Sequence, residues 1–316
     1  MERLVTDMTE TEILFDLLEK GISPAHAVSA CEKRLTDAGF EVVDYGTAWN
    51  LKAGGKYVVN HHETTLFAFT LPQNWSDREP AIRIAAAHTD FPCLRIKPSC
   101  DIQTNGYAQV NVEVYGGAIL NTWLDRPLGV AGRVAVRSED VFTPEVVTFQ
   151  SEKNLMTIPN LAIHMNREVN KGVELNKQTE LLPICGLSDD ADYFLDFLVK
   201  ELAVKKEDIL DFELTIYNKE KPEFVGLNDE FISASRLDNL NSCSALVSAI
   251  IESDRADGMN LIALFDHEEI GSRSKQGAGS ILLHDMLVRI LTECGLEKEV
   301  WNRLYIIQPV FHTRNG

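Results

Sequence analysis

Along the chain, apolar positions recur first at helical and then at strand spacing. From Thr9 to Leu18, Ile13, Leu14, Leu17 and Leu18 fall on one helix face, and Gly21 supplies a stop. Ser23-Pro24 then reads as an N-cap followed by proline at the first helical position, opening a second helix toward Gly39. Strands are predicted at Lys56–Val59, Thr65–Leu71 and Ile82–Ala87. The last is nearly all apolar, the pattern of a strand buried on both faces.

From about Arg95 to Gly226 the texture changes to half-exposed alternation, as in Val110–Val114 and Arg133–Val136. A helix over Asp189–Leu202 and a strand over Phe212–Tyr217 close that stretch. Core patterning then returns with a helix over Asn241–Ile251, a strand over Leu261–Phe265 and a helix from Ile281 to Cys294. The pattern predicts one α/β domain interrupted by a β-rich insert.

Composition narrows the function classes. With 316 residues, 45% hydrophobic and 25% charged, the chain is too apolar to be disordered and long enough for about two domains. Acidic residues outnumber basic ones by 48 to 30, a net charge of −18 that argues against a nucleic-acid partner. No segment approaches the roughly 20 apolar residues of a membrane-spanning helix. Met1–Glu12 is acidic and polar, unlike a signal peptide, so a cytoplasmic location is expected. Six scattered cysteines without a C-x-x-C pair predict free buried thiols and argue against a thiolate zinc site, so His and carboxylates are the expected holders of any metal.

Four segments place ionisable residues where chemistry could sit. His88 ends a predicted buried strand and Asp90 follows two residues on, as in a metal-bound histidine oriented by a carboxylate; a surface turn is the alternative. Asp238, before a helix, is either a cap or a ligand. Glu268 and Glu269 follow a buried strand and precede Gly271 and Gly277-Ala278-Gly279. One carboxylate there would bind metal and its neighbour move protons, or both would lie in a wet turn. His164 sits in a semi-apolar stretch of the insert, where a structural histidine is the plainer reading. His61-His62-Glu63 reads as a solvated loop and Asp125-Arg126 as a structural ion pair. Together, one His with its Asp, a lone Asp and a Glu pair match the donors of a two-zinc hydrolase.

These strings resemble a known family. Ala87-His88-Thr89-Asp90-Phe91-Pro92, Ile158–Arg167, Asn121–Arg126, Ser235-Arg236-Leu237-Asp238-Asn239, Phe265–Ser272 and Gln276–Ser280 resemble, in order and approximate spacing, the motifs of the M18 aminopeptidases, the aspartyl aminopeptidase family. The resemblance implies an α/β fold, a mixed-sheet zinc-peptidase catalytic domain interrupted by a β-rich oligomerisation insert. The implied boundaries are 1–94 and 227–316 for the catalytic domain and 95–226 for the insert. It implies two Zn2+ per subunit, with His88 on one zinc, Asp238 bridging, Glu269 on the second, Glu268 as general base and Asp90 orienting His88. His164 would reach a neighbouring subunit's active site in a homo-oligomer. Peptides would be the substrates, with N-terminal Asp or Glu preferred in several members.

The family pattern also includes a later Asp ligand in a Ser-Ala-Asp-like element and a last His ligand. Neither is read in Arg303–Gly316, and His312 has no motif around it, so the sequence is expected to be C-terminally truncated. Two alternatives to an active aminopeptidase are a catalytically inactive truncated relative acting only through assembly and a two-metal amidohydrolase acting on small molecules.

Overall fold

A computed structural model describes residues 8–74, 81–172, 174–253 and 258–296. Residues 303–316, which bear on the expected truncation, lie outside the described residues. In chain order the elements are α1 (Glu10–Lys20), α2 (Pro24–Asp37), β1 (Glu41–Val42), β2 (Lys56–His61), β3 (Thr65–Thr70), β4 (Ala81–His88), β5 (Cys93–Thr104) and β6 (Tyr107–Tyr115). They continue with β7 (Leu128–Val136), β8 (Glu145–Gln150), β9 (Ile184–Leu187), α3 (Tyr193–Leu202), β10 (Ile209–Asn218), β11 (Glu223–Val225), β12 (Phe231–Ser233), α4 (Leu237–Glu252), β13 (Gly258–Phe265) and α5 (Leu282–Glu293). No helix among the described residues is long and apolar enough to cross a membrane.

The helix punctuation follows the local chemistry. Thr9 and Glu12 form a reciprocal capping box at the start of α1, and Gly21 closes it through its N–H to Leu17 O. Helix α2 begins at Pro24, and Ser23 Oγ accepts the His26 N–H at 3.4 Å.

Two compact units result. One comprises residues 1–27 and 90–240. Its six-stranded antiparallel sheet has the order β8-β7-β10-β5-β6-β9. Inward residues Leu94, Ile96, Val110, Val112, Val130, Val134, Leu214 and Ile216 form its core with Phe194 and Leu198 of α3. Helix α3 starts at Tyr193, four residues later than the sequence pattern suggests. Its first free N–H groups go to a strand: Asp101 of β5 accepts from Phe194 N at 2.7 Å and Leu195 N at 3.2 Å. That cap is long-range, so no local pattern announces it.

The other unit comprises residues 28–89 and 241–316. Its five-stranded mixed sheet has the order β1-β2-β3-β13-β4, with β4 and β13 parallel. One face packs Tyr57, Val59, Phe67, Phe69, Leu261 and Ala263 against Leu282, Met286 and Ile290 of α5.

Strand β4 departs from expectation. Its apolar sequence predicts burial on both faces, yet Ile84 is 38% exposed and Ala86 is exposed. Among the described residues β4 is the sheet's edge strand and pairs with β13 alone. An edge strand lacks the second neighbour that buries a central one.

Candidate metal centre

In the five-stranded unit, parallel pairing sets Phe265 of β13 opposite His88 of β4, so both strands deliver their C-terminal ends to one edge of the sheet. Beyond Phe265 the chain turns sharply. His267 has φ +62°, Glu268–Ile270 form one 3-10 turn, Gly271 has φ +96° and Ser272 φ +60°. Left-handed backbone at His267 and Ser272 is costly for non-glycine residues and persists only where the surroundings enforce it. Gly271 N donates to Glu268 O at 2.9 Å and Ser272 N to His267 O at 2.8 Å. Gly277 is needed for close approach, because a Cβ there would lie 2.4 Å from Ser272 O.

This turn brings Glu268 Oε2 to 3.7 Å from His88 Nε2. The histidine side chain is 13% exposed and the glutamate 54%, so a largely covered imidazole meets a solvent-facing carboxylate. Glu269, in the same turn, is half-buried. The Cys243 thiol donates to the His88 carbonyl at 3.1 Å, holding that strand end. His267, which no motif reading had singled out, has Nδ1 2.6 Å from Ser274 Oγ and Nε2 3.5 Å from buried Asp266 Oδ2. Both ring nitrogens face partners within the turn, so its role is structural.

Below the turn lies a buried polar network of Thr64, Thr65, Thr89, Asp266 and Gln276. Thr89 N donates to Phe265 O at 2.8 Å, and Thr89 Oγ1 lies 2.8 Å from Thr64 O. Thr65 Oγ1 donates to Gln276 O at 2.9 Å, and Gln276 Nε2 donates to Thr64 Oγ1.

In the six-stranded unit, Asp90 is fully buried and accepts the Tyr115 hydroxyl proton at 2.7 Å. The Arg95 guanidinium stacks 3.9 Å over the Tyr115 ring. Arg95 and Arg133 then share Glu213, at 3.1 and 2.7 Å. Such a buried carboxylate held by a phenol is rigid, because leaving either polar group unpaired is costly. Asp238 is exposed and follows Arg236, whose φ is +63°; its peptide bond to Asn239 is cis. Asp238 lines a cleft of about 450 Å³ with Phe91, Trp123, Tyr217 and Arg236. Arg236 donates to Leu18 O at 2.7 Å and Asn218 O at 3.3 Å, and burial lowers its pKa to about 10.

The remaining candidates are dispersed. His164 lies on an exposed loop among Leu161, Ile163 and Met165. Asp125 and Arg126 do not pair with each other as the sequence suggested. Asp125, at φ +58°, accepts the Asn160 N–H at 2.8 Å, while Arg126 reaches Glu220. His61 is half-buried rather than solvated, with its ring 4.2 Å from that of His62. Burial, with His62 and Lys275 adding repulsion, brings its pKa down to about 4.

None of the six cysteines forms a disulfide. Burial pushes Cys31, Cys93 and Cys100 up to about 12 and Cys185 to about 11, so these are protonated thiols and poor metal ligands. The imidazole and carboxylate donors suit zinc in kind. In number they fall short locally: among the described residues, no three His, Cys, Asp or Glu gather in a group that could hold a metal. His88 and Glu268 do converge, at 3.7 Å.

The family model described as "Aminopeptidase I zinc metalloprotease (M18)" matches residues 17–308. A probable M18 family aminopeptidase 2 of Clostridium novyi is 40% identical over 291 residues, covering 90% of this chain and 67% of its own. One from Pseudomonas aeruginosa strain UCBPP-PA14 is 41% identical over 286 residues, covering 89% and 66%. Among solved structures, Ape4, determined in a complex with Nbr1, superposes with TM-score 0.83 at 32% identity, covering 95% of this chain and 62% of its own. Chaetomium thermophilum mApe1 gives 0.83 at 28%, covering 93% and 71%. The Saccharomyces cerevisiae mApe1 dodecamer gives 0.74 at 24%, covering 92% and 67%, a likeness of fold alone. The chain thus spans about two thirds of the length of these curated relatives and 62% of Ape4. On the match across residues 17–308 and 40% identity to its relatives, the chain belongs to the M18 family of zinc metalloproteases.

Proposed function

We propose that the protein is a metallo-aminopeptidase that releases N-terminal residues from peptides. The observation that carries this reading is the convergence of His88 and Glu268, 3.7 Å apart, at the ends of adjacent parallel strands. His88, Asp238 and Glu269 are the proposed zinc ligands, with Asp238 bridging two ions. Zinc bound there would supply Lewis acidity and a bound water of lowered pKa.

The chain's own residues then have distinct tasks. Asp90, buried and gripped by Tyr115, orients the His88 imidazole through its second ring nitrogen. The solvent-facing Glu268 carboxylate takes a proton from the attacking water. As that oxygen adds to the first peptide carbonyl and the C–N bond breaks, Glu268 returns the proton to the leaving amine nitrogen.

A catalytic domain over 1–94 and 227–316 with an oligomerisation insert over 95–226, a homo-oligomer in which His164 reaches a neighbour's site, preference for N-terminal Asp or Glu, and a cytoplasmic location complete the reading. One observation favours a second reading, a non-catalytic relative that acts through assembly. Among the described residues the donors do not gather into a complete metal group.

The test uses the purified chain, its zinc content and its hydrolysis of aspartyl and leucyl chromogenic amides. Stoichiometric zinc with chelator-sensitive turnover supports the aminopeptidase. Substoichiometric zinc without turnover rejects it in favour of the second reading.

A further inference from the structure

We propose that Gln276 is a positioning residue for the candidate metal centre, closing a buried hydrogen-bond ring that sets the turn carrying Glu268 and Glu269 against the strand end carrying His88. The inference rests on the metal-binding role of those residues, but its geometry lies wholly within the five-stranded unit.

The ring can be followed bond by bond. Gln276 Nε2 donates to Thr64 Oγ1, and Thr64 O receives Thr89 Oγ1 at 2.8 Å. Thr89 directly follows His88, and its N–H reaches Phe265 O at 2.8 Å. Asp266, one residue on, returns to the start: its N–H lies 3.3 Å from both Gln276 O and Thr65 Oγ1, and Thr65 Oγ1 itself donates to Gln276 O at 2.9 Å. Gln276 is the member that ties both loops, with its side chain on the Thr64 loop and its carbonyl on the Asp266 turn. The residues after it are bound as tightly, since Gly279 N donates to Ser272 O at 2.9 Å.

The chemistry argues for position rather than bulk stability. Gln276 is 8% exposed and Thr64 2%, beside cores that elsewhere use Phe, Leu and Met. Burying an amide and a hydroxyl costs free energy unless both are paired, and an apolar residue of similar volume would fill the space without that cost. What the polar pair adds is direction, because each bond fixes one loop against another. The turn it holds contains His267 and Ser272 in left-handed backbone, a conformation that relaxes unless external bonds enforce it. Without the ring, Glu268 would lose its fixed separation from His88.

Thr64→Val removes the acceptor at constant shape, Thr64→Ser retains it, and Gln276→Met removes the amide. Amide hydrogen exchange of the metal-free chain, its thermal midpoint and zinc affinity by chelator competition are compared with wild type. The expected result is at least about tenfold faster exchange confined to 266–271 in Thr64→Val and Gln276→Met, with wild-type exchange in Thr64→Ser. Zinc binding should weaken roughly 10- to 100-fold in the first two and recover in Thr64→Ser. Unchanged exchange at 266–271, or faster exchange spread through β3, β4 and β13 with a lowered midpoint, would overturn the proposal, as would local loosening with unchanged zinc affinity. A wild-type chain that takes up no zinc would sink the metal reading instead, leaving exchange and the serine rescue to decide whether Gln276 holds the turn.

Discussion

Replacing Tyr115 by Phe isolates the bond that restrains Asp90. The ring stays beneath Arg95, so the stack at 3.9 Å survives while the 2.7 Å hydrogen bond to Asp90 is lost. Both residues are buried, Asp90 completely, and water cannot easily replace the phenol. A hydrogen bond to a charged group contributes about 1.5–3 kcal/mol, so a loss of about 2 kcal/mol is expected. With a urea m-value of about 3 kcal/mol/M for a chain of this size, the midpoint should fall by roughly 0.7 M. In an Asp90→Asn background the bond is neutral and about half as strong, so the same substitution should cost only about 1 kcal/mol. Urea unfolding of the metal-free chain, followed by fluorescence and circular dichroism, measures all four corners of this cycle. If Tyr115→Phe costs the same in both backgrounds, the phenol does not act on the Asp90 charge. Zinc titration adds the functional half. Loss of a group orienting a ligand typically weakens a metal site 10- to 100-fold, and unchanged affinity would separate Asp90 from His88.

Three further outcomes are expected. Glu268→Gln should lower turnover about 10²- to 10⁴-fold while zinc content and thermal midpoint stay near wild type, since its carboxylate is half-exposed; near-normal turnover would refute its role as base. Burial holds His26 at about pKa 4, below its unfolded value of 6.5, so the unfolded chain takes up its proton first as pH falls. Stability should therefore drop by up to about 3 kcal/mol between about pH 6.5 and 4, and His26→Gln should flatten that part of the unfolding profile. Asp101→Ala should cost about 1–3 kcal/mol, seen as a lowered urea midpoint, by stripping the carboxylate from the first N–H groups of α3; an unchanged midpoint would show that solvent caps the helix equally well.

Local signals carried far in this chain. The span of α1 up to Gly21, the Ser23-Pro24 start of α2 and the strand at β13 all stand where hydrophobic spacing and cap chemistry put them, because those forces act within a few residues. The Glu268–Glu269 pair in a turn directly after a buried strand is also visible in one dimension, since an apolar run and two adjacent carboxylates are enough to mark it.

Tertiary structure decided the rest. Strand β4 reads as central from its apolar run, but its place at the sheet edge among the described residues depends on pairing with β13, whose paired positions lie about 177 residues away in the sequence. Asp125 and Arg126 are neighbours in sequence, yet φ +58° at Asp125 turns one toward Asn160 and the other toward Glu220. Asp101 as a helix cap, Tyr115 as the partner of Asp90 and the Gln276 ring were illegible for the same reason. Each is a hydrogen bond between distant segments, and sequence records only the donor and acceptor types. The sequence by itself determined which residues can bind, cap and carry charge. Which of them meet is set by strand order and register, because burial makes every buried polar group find its partner in three dimensions.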